Sequence, residues 1–365
     1  MKKILLYSDV RVFGGHEIMS VEMANSLARR YKVYFVFFNE QIGDILNSKV
    51  DKIRVPVSSA LSFAGIRSFN PYHIFYLIRL FKKISPDLAI ICQGSIEFCL
   101  KGVVASKYLN IKTVSYLPMA YPFQAMGIAL GYIRDIINRF FYNYIDLFIT
   151  VSKEQELLIR QNFAFSKDVY TLDNFTIVEN NTISPIVNYN GKRLRIGVIG
   201  NIKFKTKGQD RAVNIAKGLH KSGIDFEFVI IGTGHDSSKL VRLVNVSGLS
   251  ERFVFKGWIN DKSDIYSNLD IVLITSRFDA FPLTLLESIL SSKIVFAPNK
   301  GIFKEYLPDS LLFADENGAA DKIIEFLGWH DEAHDCIEDL KRIIMDKNSK
   351  VCFEHKLFRV MEQLA

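Results

Sequence analysis

Two acids, Asp279 and Glu287, close the ends of an otherwise apolar stretch, DAFPLTLLE. Spaced that far apart, they can bracket a ligand without touching each other, and carboxylate oxygens are good acceptors for the hydroxyls of a sugar or ribose. Upstream, GVIGNIKFKTKGQDRAV carries Lys203, Lys205 and Lys207 on a loop flanked by Gly200 and Gly208. Gly200 lets backbone approach a phosphate, and each lysine–phosphate hydrogen bond would contribute about 1.5–3 kcal/mol. Each feature also has a plainer reading: a solvated basic loop, a capping Asp279, an exposed helical Glu287. No GxxxxGK[ST] is present, so a P-loop nucleotide site is excluded. IGTGHD (231–236) lacks the third glycine of a dinucleotide fingerprint and reads as a turn that His235 caps. The four cysteines (Cys92, Cys99, Cys336, Cys352) form no CxxC pair and no zinc-like spacing, so they read as reduced thiols and no metal site is expected.

These residues must be positioned by the elements around them. Short apolar runs alternate with helical patterns in both halves of the 365-residue chain, the mark of parallel βαβ units. KILLYS, KVYFVFF, DLAIICQG, KTVSYLP and DLFITVS read as strands in the first half. RLRIGVIG, FEFVIIGTG, FVFKGW, DIVLITS and KIVFAP read as strands in the second. The polar, Asn-rich stretch 177–192 reads as a linker. The expectation is an α/β chain of two Rossmann-like domains facing each other across a cleft. Residues 1–180 form the acceptor-binding domain and 190–345 the donor-binding domain. A C-terminal helix, 346–365, is expected to pack back towards the first. RFDAFP then falls at a strand's carboxyl end, and the helix after it begins near Pro282. Its first backbone N–H groups, around Phe281 to Thr284, would face an anion.

In order, the fragments GNIKFKTKGQD, FVIIGTGHD, RFVFKGW and DIYSNLDIVLITSRFDAFPLTLLESILSSKIVFAP resemble the donor-binding domain of family 4 glycosyltransferases, which have the GT-B fold. The likeness covers roughly 194–310. In the first half, GGHE (14–17) resembles that family's Gly-Gly-x-Glu loop. The resemblance implies a retaining, metal-independent transfer of a sugar from a nucleoside diphosphate sugar, UDP- or GDP-linked, with no other cofactor. The leaving phosphate itself would help deprotonate the acceptor. The family's E-x(7)-E motif falls on Asp279 and Glu287, which implies contact of Asp279 with the donor sugar and of Glu287 with the ribose. The backbone of Phe281, Pro282 and Leu283 would lie beside the donor, and Gly257 and Trp258 near the base. The family's phosphate-binding Arg and Lys fall on Asn201 and Lys207. Asn201 carries no charge, which leaves Lys203, Lys205 or Arg277 as replacements. Gly14 and Gly15 would approach the diphosphate or the transferring sugar, with Glu17 opening the helix behind them. A family histidine has no counterpart in SYLPMAYPF (115–123), where Tyr116 or Tyr121 would occupy the acceptor side.

Charge is uneven. Residues 1–180 hold 21 of the 46 basic and 15 of the 39 acidic residues, which is +6 of the net +7. That suits an anionic partner. HIFYLIRLFKK (73–83) and GYIRDIINRFFYNY (131–144) are amphipathic and basic, and read either as helices packed on their own sheet or as faces for anionic lipid. The opening apolar run stops at Ser8-Asp9, too short for a signal peptide, and no later run reaches the roughly 20 residues of a bilayer span. The expectation is a cytoplasmic enzyme, peripheral on the inner membrane face. It would extend a saccharide or polyprenyl-linked acceptor for surface polysaccharide or lipopolysaccharide. No nucleic-acid module is visible. A non-catalytic GT-B partner subunit and a GT-B sugar-nucleotide epimerase are the other classes this sequence admits.

Overall fold

The structure, a computed structural model, describes residues 1–56, 70–176, 193–259, 261–328 and 331–364. The linker read at 177–192 lies outside the described residues. The chain divides into two compact units, Met1–Asn174 with Val351–Ala365, and Phe175–Lys350. The C-terminal helix Lys350–Gln363 thus belongs to the first unit from Val351 onward. There Glu354 accepts from Ser26 and Arg29, and the Arg30 guanidinium lies over the Phe358 ring.

The first unit holds β1 (Lys3–Ser8), β2 (Lys32–Phe37), β3 (Val50–Arg54), β4 (Leu88–Cys92), β5 (Lys112–Tyr116), β6 (Leu147–Thr150) and β7 (Asp168–Thr171). All their pairings are parallel, in the order β3-β2-β1-β4-β5-β6-β7. Helices such as Gly15–Leu27 and Leu100–Tyr108 connect them, so the central strands are buried on both faces. This explains their unbroken apolar runs: every residue of β4 and β6 is buried. β3 reads Val-Asp-Lys-Ile-Arg and lies at the sheet edge, where one side of each strand meets water.

The second unit repeats the plan with β8 (Leu194–Ile199), β9 (Phe226–Ile231), β10 (Phe253–Gly257), β11 (Ile271–Leu273), β12 (Ile294–Pro298) and β13 (Leu312–Phe313). They are ordered β10-β9-β8-β11-β12-β13 and again parallel. In each unit the chain runs outward from its first strand to one edge, then crosses over and fills the other side. Connections leaving β1 and β4, and likewise β8 and β11, therefore diverge. A crevice opens at the carboxyl ends of each pair, the place where open α/β sheets take ligands.

One helix breaks the usual rule of apolar inside. In Gly131–Tyr142, Asp135 and Asn138 are buried while Ile133, Ile136 and Phe140 are 52%, 48% and 56% exposed. Asp135 accepts from the backbone N–H groups of Phe123 and Gln124, which makes its burial tolerable. The helix packs on its own unit through Asp135, Asn138 and Tyr142, and it leaves these isoleucines and Phe140 outward. The helix Pro71–Ile84 behaves conventionally, burying Leu77, Phe81 and Ile84.

Candidate active site

The β8/β11 crevice brings two of the sequence-selected residues into contact. After β8 the chain makes one short helical turn, Phe204–Lys207, which ends at Gly208 with φ 65°. A Cβ at Gly208 would stand 2.4 Å from the Thr275 carbonyl oxygen, so only glycine lets this turn lie against the loop after β11. Backbone bonds lock the two loops together: Arg277 and Phe278 both donate N–H to the Thr206 carbonyl, and the Thr275 hydroxyl donates to that of Lys207. In consequence Lys207 Nζ reaches Asp279 Oδ2 at 2.6 Å, and Ser276 donates to the same oxygen at 2.9 Å. The cavity lined by Lys207, Asp279, Thr275, Ser276 and Pro282 has a volume of about 20 Å³. That is room for one water.

Glu287 lies in the second turn of the helix Leu283–Leu290. Lys262 Nζ stands 2.8 Å from Oε1, Thr176 donates to Oε1 at 3.3 Å, and the Tyr266 hydroxyl donates to Oε2 at 3.2 Å. Lys262 also donates to Thr176 at 2.9 Å. Lys262 and Tyr266 open and close the helix Lys262–Tyr266, four residues apart and hence on one face. Tyr266 is fully buried, and burial followed by the nearby Glu287 charge pushes its hydroxyl well above the usual tyrosine pKa. It stays a neutral donor. Sequence reasoning missed all three partners; the i,i+4 spacing of Lys262 and Tyr266 was the available signal.

The remaining selected residues divide. Asn201 is exposed and uncharged, and its carbonyl accepts from Gln209. Lys203 is exposed, and its N–H donates to the Gln209 side chain. Arg277 forks onto both oxygens of Asp210 at 2.6 and 2.7 Å and donates to the Phe204 carbonyl. That fork raises its pKa, and it ties the guanidinium into holding the Lys207 loop rather than replacing a phosphate-binding arginine. Gly200 takes φ 130°, open only to glycine. Gly232 packs so closely that a Cβ there would lie 2.1 Å from the Gly200 carbonyl oxygen. IGTGHD is therefore a turn docked on the Gly200 loop. The Ser237 hydroxyl, bonded to Gly234, closes it, and the His235 side chain is 81% exposed. Phe281 is buried with its ring 5.2 Å from Tyr306, Pro282 is buried and is the cap residue, and Leu283 starts the helix. Gly257 ends β10 with φ 67°, and Trp258 beyond it is 55% exposed.

The β1/β4 crevice of the first unit holds the Gly14–Gly15 loop. Gly14 is extended, and a Cβ there would touch Glu17 only at ordinary contact distance, so the fold itself does not require glycine. Glu17, buried in the first helical turn, has its pKa raised to about 8 by burial; hydrogen bonds from the Glu17 and Gly14 backbone oppose this. His16 stacks on Tyr116 with ring centroids 5.3 Å apart. Its ring nitrogens are buried without a hydrogen bond of normal geometry among the described residues. Burial lowers its pKa to about 4, with the Cys92 backbone offsetting part of the shift. Tyr116 is 1% exposed, so the acceptor-side role given to it is corrected: its ring is buried and stacked against His16. Tyr121 is half-buried and donates to Glu154 at 2.9 Å. A histidine does stand in this crevice, then, but it arrives on the glycine loop and not after β5. Among the described residues no cluster of His, Cys, Asp and Glu could hold a metal ion.

Two parallel-sheet units of this topology, with a paired lysine and acid at one switch point and a glycine loop at the other, make the chain a GT-B protein. Its structure superposes on Anabaena HepE in complex with UDP and glucose with a TM-score of 0.78 at 15% identity, covering 100% of both chains. Residues 13–178 match the model of Glycosyltransferase Family 4, and residues 179–342 match that of Glycosyl transferases group 1. The chain belongs to the family 4 type of glycosyltransferases. It is 24% identical to an uncharacterized glycosyltransferase of Haemophilus influenzae over 79% of this chain and 78% of that one. It is also 24% identical to the lipopolysaccharide 1,6-galactosyltransferase of Salmonella typhimurium, over 66% and 65%.

Proposed function

We propose that the protein moves a hexosyl group, with retention and without a metal, from a nucleoside diphosphate sugar to a saccharide or polyprenyl-linked saccharide in surface polysaccharide or lipopolysaccharide synthesis. The observation that carries this is the convergence at the β8/β11 crevice of Lys207 and Asp279, with Glu287 one helix turn into the next element. Lysine at this crevice suits charge that builds on a leaving diphosphate, and preorganised charge of this kind supplies much of an enzyme's barrier reduction. Glu287 then takes the ribose and Asp279 the transferring sugar. Gly14, which nothing in its own unit requires to be glycine, leaves room for a ligand. The likeness to a lipopolysaccharide galactosyltransferase supports the acceptor class, and the UDP held by the HepE structure makes UDP the first nucleotide to try. The outward isoleucines and Phe140 of the helix Gly131–Tyr142 have Arg139 beside them, and Lys107 lies over the nearby Tyr144 ring. An apolar face with a basic border is a membrane-surface design, which suits a peripheral enzyme at the cytoplasmic face of the inner membrane.

The test is a thermal-shift and calorimetric screen of UDP, GDP and their hexoses, since a ligand that binds the native state alone raises its stability. Radiolabelled transfer by the wild type and by Glu287→Ala follows. The expected result is binding of one nucleotide series and loss of transfer in the variant. Wild-type transfer by Glu287→Ala refutes the reading, and donor isomerised without acceptor identifies an epimerase instead.

A further inference from the structure

The two acids of DAFPLTLLE are each held by a lysine from another loop: Lys207 at 2.6 Å from Asp279, Lys262 at 2.8 Å from Glu287. Both acids are nearly buried, 11% and 13% exposed, whereas both lysines remain partly open, 34% and 40%. Side chains placed in this way form a repeating unit: an acid on the inner wall, and an ammonium over it towards solvent. Resting on the donor reading given above, we propose that Lys262 is a second phosphate-binding cation. On donor binding, ribose hydroxyls take Glu287 Oε1, and the ammonium they displace turns to the diphosphate.

Three observations carry the exchange. First, both acids already have their oxygens engaged by lysines, so hydroxyls that bind those oxygens must displace existing contacts. A ligand that offers hydroxyls to the acids and negative charge to the lysines replaces each contact with its equivalent. Second, Glu287 keeps its orientation when Lys262 leaves, because the buried Tyr266 hydroxyl holds Oε2 from beneath. Lysine, a flexible arm with three rotatable donors, is the residue able to make such a turn. Third, this unit has a charge to replace. Asn201 is neutral and Arg277 is forked onto Asp210, so the second positive charge a diphosphate requires must come from a lysine. Lys262, unlike Lys203 and Lys205 on the outer loop, is already seated on the acid that would take the ribose. A purely structural account of the Lys262 pair is weak, since the lysine end is open to solvent, which screens the pair.

The experiment compares wild type, Lys262→Met and Lys262→Arg for binding of UDP, GDP and the matching nucleosides. Diphosphates are measured by calorimetry and nucleosides by competition, with circular dichroism to show that each variant is folded. For the diphosphate the wild type binds, Lys262→Met is expected to raise Kd about tenfold or more, as for one lost charge-assisted hydrogen bond. Nucleoside affinity should change less than about threefold, since Tyr266 still orients Glu287, and Lys262→Arg should recover most of the loss. Unchanged or tighter diphosphate binding by Lys262→Met overturns the proposal and makes Lys262 a resting latch. Equal losses for nucleoside and diphosphate also overturn it, leaving Lys262 as a positioning residue for Glu287. A wild type that binds neither diphosphate refutes the donor reading itself, and the proposal with it.

Discussion

Replacing Glu17 by glutamine tests whether the glycine loop of the first unit rests on a protonated acid. The residue is 4% exposed, and burial lifts its pKa from 4.5 to about 8 against the pull of backbone hydrogen bonds from Glu17 and Gly14. In the unfolded chain the same group ionises near its ordinary value. Between pH 4.5 and 8 the folded state therefore binds the extra proton, and stability falls as pH rises through that window. At about 1.4 kcal/mol per pH unit, going from pH 5 to pH 8 costs the wild type roughly 4 kcal/mol. The amide introduced by Glu17→Gln would keep one acceptor oxygen for the backbone donors and has no proton to lose. Urea unfolding followed by far-ultraviolet circular dichroism, at steps from pH 5 to pH 9, reads the effect. Relative to the wild type, Glu17→Gln should gain stability steadily up to about pH 8 and then level off. A stability difference that stays flat across that range refutes the reasoning, because it would mean that Glu17 ionises alike in both states.

Further outcomes can be checked in the same way. His16 has the opposite slope: its pKa is lowered from 6.5 to about 4, so the unfolded state takes up the proton first and stability is lost as pH falls from 6.5 towards 4. His16→Asn should therefore be less acid-sensitive than the wild type in urea titrations at pH 7 and pH 4.5. Arg277→Leu removes the fork onto Asp210, a pair open enough to solvent that about 1 kcal/mol of stability is expected to go. The Lys207 loop loosens with it, so donor KM should rise, as steady-state kinetics would show. Ile136→Asp places a charge on the exposed face of the helix Gly131–Tyr142. Sedimentation with vesicles should show loss of binding to anionic lipid, with transfer to a soluble acceptor unchanged.

Much of this molecule was legible in local sequence. Buried parallel strands are continuous apolar runs, and KILLYS, DLAIICQG and DLFITVS declared themselves as β1, β4 and β6. β3 and β7 escaped because they are short edge strands that mix polar with apolar side chains, and β13 because two residues carry no pattern. The loop-to-helix setting of Asp279 and Glu287 was equally local, fixed by one strand, Pro282 and one helical run.

Partnership was a different matter, because it depends on which loops the sheet order makes neighbours. Three lysines stand on the loop after β8, and their spacing alone did not choose among them, although the family resemblance pointed to Lys207; the Gly208 turn against Thr275 directs Lys207 to Asp279. Nothing local links Lys262 to Glu287, 25 residues away, until the helix Lys262–Tyr266 is seen to present both its end residues to one carboxylate. The buried polar face of Gly131–Tyr142 is likewise invisible to periodicity, since the bonds from Phe123 and Gln124 that permit it come from outside the helix. Sequence determined which residues are apolar, charged or free in φ. Tertiary structure decided which charges meet, because a charge's partner is set by distance in space and the chain's periodicities report only its own faces.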